Sequence, residues 1–474
     1  LYAERSKGRV LLDVLTNGGR VNVTKAMSVR ETAEEQRLNR TIVGLNDRIR
    51  SENLKPAPEA GLLKNLEVRL NSARIEYEHF QNVLYTTHPE LRIQRGHTPA
   101  LMLDTIASFV THKETAFLEY VVTKESAFLF VITKEDQVGN LNLRMYPLNV
   151  KGSDLVKKAS RFRQLMADRH PIFSALSLEL YDLLIKPAEA QLQGKRTLCI
   201  IPDGALWHVS FQALQSKAGQ FLLEDYAVYY TSSLGVLREM AKPGSGSAKD
   251  ARPSLIAFGN PIAGKEWVAG LRGANRGKNF DPLPEAEVEV MALEEMFGRA
   301  NSKVFIGAKA NEPNFKSLAP AYDTIHLATH GVLDDRHPLY SYLLLAKADG
   351  EVVKEDGLLE AREIINMNIG ADLVVLSACE TARGRVGAGE GIIGMSWAFF
   401  IAGSRTTVVS QWKVSSASTS KLMVNFYRHL KSAPSREGRT KATALRLAAL
   451  ELMKDERYRH PFYWAGFVMI GSNE

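Results

Sequence analysis

Only two cysteines occur in the 474 residues, Cys199 and Cys379. That excludes a disulfide framework and fits a reducing, cytoplasmic setting. No run of about 18 or more apolar residues is present, so no membrane-spanning helix is expected. The usual metal and nucleotide signatures are missing too. HLATH (326–330) has two histidines but not the glutamate of a zinc-protease helix. GLRGANRGKN (270–279) fails the phosphate-loop pattern, because Arg272 stands at the first glycine position and Asn279 replaces the hydroxyl residue. GEGIIG (389–394) sits too far behind its strand to be a dinucleotide fingerprint, and GMSWA (394–398) lacks the second glycine of a serine nucleophile elbow.

Charge is nearly balanced, with 60 basic and 53 acidic residues and a net +7. The basic residues are spread along the chain, with short clusters at 157–163 and 436–446 that suit solvated helix faces, so direct nucleic-acid binding is not expected. Residues 1–15 are amphipathic and carry both charge signs, unlike a secretory leader. The chain begins at Leu1 rather than methionine and is read as a piece of a longer protein.

Three regions follow from the hydrophobic periods. In residues 1–95 a capping box, Ser28 to Glu31, opens a helix whose apolar face is Leu38, Ile42, Leu45 and Ile49. A second helix repeats Leu66, Leu70, Ala73, Tyr77, Phe80 and Leu84, which predicts a helical hairpin, the end of a truncated repeat region. Within 96–241 the period changes to two from about residue 112 and predicts an antiparallel meander, followed by helices at 153–188 and the strand RTLCIIP. A Gly/Ser linker, AKPGSGSAKD (241–250), marks the main internal boundary. From 253 to 474 Val/Ile/Leu strands alternate with helices, including helices over 284–297, 359–366 and 390–402. This predicts an α/β fold whose mostly parallel sheet is sandwiched by helices.

Ligands of such sheets bind at the carboxyl ends of the strands. His330 closes one strand, DTIHLATH, and Cys379 closes another, LVVLSAC, 49 residues later. A histidine beside a thiol raises its thiolate fraction and can protonate a leaving amine. Gly331 offers an unhindered backbone N–H which, with that of Cys379, would hold an oxyanion. His326 lies inside its strand and is read as buried or hydrogen-bonded, and Cys199 as a small core hydrophobe.

Six segments in order, IPDGALWHVSFQAL (201–214), LPEAEVEVMALEEMFG (283–298), IHLATHG (325–331), LVVLSACET (373–381), GEGIIGMSWAFFIAGSRTTVVSQWKV (389–414) and HPFYWAGFVMIGS (460–472), resemble the CHAT family. These are caspase- and separase-like cysteine peptidases joined to tetratricopeptide repeats. The resemblance implies a catalytic His330/Cys379 dyad, endopeptidase activity on protein substrates, and no metal or organic cofactor. It also implies that residues 96–241 form an inactive caspase-like lobe with antiparallel strands before the active one, and that an activating protein partner acts through the N-terminal helices. Ser377 stands where arginine-specific relatives carry an aspartate, which argues against strong Arg/Lys selectivity. Asp335, Glu380 and Glu390 are the acids near enough in sequence to line a substrate pocket with Ser377, and Glu390 equally suits a helix N-terminus. Residues 380–391 read as a substrate-side loop. The same fold with a silenced dyad, used as a regulatory binding module, is the alternative.

Overall fold

The computed structural model describes residues 28–53, 55, 58–87, 106, 110, 112–135, 141–241, 254–262, 280–334, 338–347, 355–378, 385–387, 391–432 and 440–474. Two helices, α1 (Val29–Asn53) and α2 (Ala60–Thr87), form the hairpin. Its start is the expected capping box: Ser28 N–H donates to Glu31 Oε2 at 2.7 Å, and Glu31 N–H donates to Ser28 Oγ at 3.2 Å. Leu38, Ile42, Leu45, Ile49, Leu66, Ala73 and Tyr77 close into one buried seam, as the spacing predicted, with Leu70 and Phe80 packed at its margin. The side chain of Leu84 lies outside the described residues.

The body is one eleven-stranded sheet in the order β3-β2-β1-β4-β5-β16-β15-β12-β8-β6-β7. The first half holds β1 (Thr115–Val122), β2 (Ala127–Lys134), β3 (Leu141–Leu148), β4 (Thr197–Ile201) and β5 (Ala227–Tyr230). The second holds β6 (Leu255–Gly259), β7 (Ser302–Ile306), β8 (Thr324–Ala328), β12 (Leu373–Leu376), β15 (Thr406–Ser410) and β16 (Phe467–Gly471). The meander β1–β2–β3 is antiparallel, as is β15–β16, and every other neighbouring pair is parallel. The halves meet where β16 runs parallel to β5, so the sheet continues across the boundary that the linker suggests. The strands β4, β6, β12, β15 and β16 are buried throughout, which explains their continuous apolar runs. Further helices cover the sheet: α3 (Gly152–Ala167), α4 (Phe173–Leu184), α5 (Pro284–Phe297), α6 (Met395–Ile401), α7 (Ser416–Ser432) and α8 (Lys441–Met453).

Three expectations need correction. The apolar run YSYLLLA (340–346), which reads as one of the strands alternating with helices in the parallel sheet, does not join that sheet. Its strand β10 (Tyr342–Leu344) pairs antiparallel with β9 (Gly331–Val332) and β11 (Leu358–Glu360) in a separate three-stranded sheet. The helix expected over 359–366 is a strand to Glu360 and a helix only over Ala361–Ile365, since the Glu363 carboxylate accepts from the Glu360 N–H and starts the helix there. The helix expected over 390–402 begins at Met395, and the preceding residues form β14 (Gly391–Ile393) in a ribbon with β13 (Arg385–Gly387).

The hairpin is tied to this second sheet. Tyr340 joins the hairpin's buried seam, the Arg74 guanidinium lies 4.3 Å from its ring centre, and Arg362 Nη1 donates to Asn39 Oδ1 at 2.5 Å. The Glu360 carboxylate accepts from Arg362 Nε at 2.5 Å, so a buried ion pair anchors the junction. The sheet so gripped begins one residue after His330.

Candidate active site

Strands β8 and β12 lie side by side in parallel, with Val375 level with His326 and Leu376 level with Leu327. The chain leaves them at the same edge, through Thr329–His330 and through Ser377–Ala378. These four residues line a cleft of about 40 Å³, closed by Ala286 and Glu289 of α5 and by Ser416 and Thr419 of α7. Two features bring α5 so close. Gly259 ends β6 beneath the helix, where an added Cβ would sit 2.6 Å from Val290 Cγ2 and 2.8 Å from the Ala286 carbonyl oxygen. Asn260 follows with φ of 45°, a left-handed conformation that asparagine tolerates better than most residues.

Asn260 works as a clamp. Its N–H donates to the Ala328 carbonyl at 3.2 Å, its Oδ1 accepts from Leu283 N–H at 2.8 Å, and its Nδ2 donates to Glu287 Oε2 at 3.2 Å. The segment before α5 is thereby fixed over the end of β8. There the Asp281 carbonyl accepts from His330 Nε2 at 2.8 Å, and Phe280 meets the imidazole edge-on with ring centres 5.5 Å apart. A carbonyl can only accept, so it fixes the tautomer with hydrogen on Nε2 and leaves Nδ1 as the basic nitrogen. Burial lowers the His330 pKa, reinforced by Lys413 and opposed by the bond to Asp281. Between that lowered value and the ordinary 6.5 the unfolded chain holds more protons, so acidification through this window costs stability.

Asn260→Ala is expected to cost roughly 1–3 kcal/mol for the unpaired Leu283 N–H and about 1 kcal/mol for the left-handed backbone. Asn260→Gly restores only the backbone term. Urea unfolding separates the two, and the His330 Nε2–H resonance reports whether Asp281 has moved.

Beneath the cleft His326 is fully buried, as expected. Its Nε2 lies 2.8 Å from Glu289 Oε1 and its Nδ1 lies 3.3 Å from the Tyr427 hydroxyl. Cys199 is likewise buried, in β4 beside Tyr229, and serves packing. Gly331 opens β9. Leu344 N–H donates to the His330 carbonyl at 2.8 Å, and paired residues of an antiparallel ladder alternate in direction, so Gly331 directs its own N–H away from β10. Ser377 is buried at the cleft wall, beside His330. Cys379, Glu380, Asp335 and Glu390 lie outside the described residues. Asp281 and Asn260 were not legible as site residues, since one acts through its backbone and the other through its conformation. Glu289 left only the trace of an acid on the inner face of an apolar helix.

A carboxylate cluster elsewhere has metal-like spacing: Glu312, Glu355 and Glu363. Lys316 Nζ already sits on all three, at 2.7, 2.5 and 2.9 Å. Burial pushes the Glu312 carboxyl well above its usual range. For Lys316 burial acts against the charge, yet Glu363 and Glu312 hold its pKa above the ordinary value. The cluster is an internal ion-pair network.

The family model described as the CHAT domain matches residues 174–472, which span both halves of the sheet. The chain belongs to the CHAT domain family. Among curated relatives, the CHAT-family chain is similar to tetratricopeptide repeat protein 28 of Homo sapiens, 26% identical over 341 residues, and to that of Mus musculus, 25% identical over 346 residues. Each alignment takes in 62% of this chain but only 13% of the relative's length. Among solved structures, the Saccharomyces cerevisiae separase–securin complex matches with a TM-score of 0.48 and 9% identity, over 89% of this chain and 34% of that one. The Arg-specific cysteine proteinase gingipain R matches with a TM-score of 0.38 and 9% identity, over 68% and 74%. No described helix of this CHAT-family chain is long and apolar enough to cross a membrane.

Proposed function

We propose that this chain is a cysteine endopeptidase that cleaves protein substrates through a His330/Cys379 dyad. One observation carries the reading: His330 is held by the Asp281 carbonyl with Nδ1 left as its basic nitrogen, in the cleft wall formed by Ser377 and Ala378, the two residues that lead into Cys379. In the proposed reaction the Cys379 thiol gives its proton to Nδ1, and the sulfur adds to the substrate carbonyl carbon. The N–H groups of Gly331 and Cys379 hold the oxyanion. The C–N bond breaks as His330 returns the proton to the leaving amine, giving a thioester. Water, deprotonated by His330, then cleaves the thioester and restores the thiol.

The cleft is narrow, about 40 Å³. A site this narrow suits activation by a protein partner that widens it. The hairpin, gripped to the sheet that follows His330, is the proposed route for that signal, and residues 96–241 are proposed as the non-catalytic lobe. Peptide-library cleavage by the wild type and by Cys379→Ala, with the longer protein's partners present, tests the reading. Equal cleavage by both would contradict it.

A further inference from the structure

One edge of the eleven-stranded sheet is β3, which pairs with β2 on one side only. The direction of its backbone groups follows from the neighbouring hairpin. Thr123 N–H donates to the Ser126 carbonyl at 2.8 Å, and hydrogen-bonded pairs recur at every second residue of an antiparallel ladder. In β2, Phe128, Phe130 and Ile132 therefore exchange bonds with β1. Leu129, Val131 and Thr133 exchange them with Tyr146, Arg144 and Asn142 of β3. Leu141, Leu143 and Met145 are left aiming their N–H and C=O groups away from the sheet. Pro147 falls in the same outward series, the position where a missing N–H costs the sheet nothing.

The side chains of these outward residues share one face. Leu143 is 46% exposed and Met145 is 52% exposed, next to the cross-strand neighbours Ile132 and Phe130. Natural edges are usually blunted by charges, proline, bulges or shortness. This one runs eight residues, its proline, Pro147, stands next to its end, and Arg144 lies on the face opposite Leu143 and Met145, so the stretch from Leu141 to Met145 stays open to pairing. Among the described residues nothing pairs with it.

We propose that β3 pairs with β3 of a second copy of this chain, antiparallel about a two-fold axis, so that the sheet continues across a homodimer. Only registers that set outward residues opposite outward residues form bonds. Centring on Arg144 places like charges opposite each other, which is unfavourable. Centring on Met145 sets Leu143 against Pro147, which has no donor. Centring on Leu143 pairs Leu143 with itself and Leu141 with Met145, all with both donors and acceptors, and sets Arg144 opposite Asn142. The strand is self-complementary in that register.

Sedimentation velocity of the full chain under reducing conditions, over about a hundredfold concentration range, reads the equilibrium. The wild type is expected to pass from monomer to dimer. Leu143→Lys and Met145→Lys, folded by circular dichroism, are expected to weaken association by at least about tenfold. The register is read in a Cys379→Ala background. Leu143→Cys should form an intermolecular disulfide on oxidation, because facing residues of a hydrogen-bonded pair lie about 5.5 Å apart, while Arg144→Cys, offset from its copy, should not. A monomer at every concentration overturns the proposal and leaves the edge to an extended segment of another protein. A dimer indifferent to both lysines, or cross-linked equally at 143 and 144, also overturns it.

Discussion

Cys379→Ala is expected to abolish protein cleavage, with a loss on the order of 10⁴-fold or more, while Cys199→Ala leaves it intact. The asymmetry follows from environment. Cys199 is fully buried in β4, flanked by strands on both sides, where a thiol is a packing group without access to substrate. Cys379 is next in sequence to Ala378, a residue of the cleft wall that includes His330. The two substitutions remove the same atom, so a general effect of losing a thiol would appear in both. Loss of cleavage in Cys199→Ala at unchanged stability would put the chemistry elsewhere in the fold. Wild-type inertness beside every natural partner would favour the binding-module reading.

Glu289→Ala is expected to destabilise the protein by about 1–3 kcal/mol or more, the range for leaving a buried hydrogen-bonding group without its partner. Glu289 is 2% exposed and His326 is not exposed at all, so solvent cannot replace the lost bond. The damage should spread to the site, because Glu289 also lines the His330 cleft and sits on the helix that Asn260 clamps. Glu289→Gln keeps an oxygen facing His326 Nε2 and should cost much less. Denaturant midpoints for the two variants check the ordering. Equal losses would mean that helix packing, and not the bond to His326, holds this layer together.

The alternation of buried Val/Ile/Leu strands with helices was legible because β6, β12 and β15 are covered on both faces, which leaves no room for polar alternation. The hairpin seam was legible for the same reason at helical spacing, from Leu38 to Tyr77. The placement of His330 just past a strand end could be read from Ile325, Leu327 and Ala328 before it and the glycine after it. What failed was partnership: the apolar pattern of YSYLLLA states that it is buried and says nothing of which sheet it joins. The Asp281 contact left no trace because any residue carries a carbonyl. Asn260 left little more, since its role rests on a left-handed φ set by Gly259 packing under α5.

The most direct test of the dyad needs no substrate. Alkylation rates of Cys379 and Cys199 would be followed by mass spectrometry from about pH 5 to 9, a range that brackets the ordinary histidine and thiol pKa values, in wild type and His330→Ala. The account predicts that Cys379 reacts much faster than Cys199 below pH 7, and that His330→Ala removes the advantage while leaving Cys199 unchanged. Slow, similar reaction of both thiols in the wild type, or a fast Cys379 that is indifferent to His330, would contradict it.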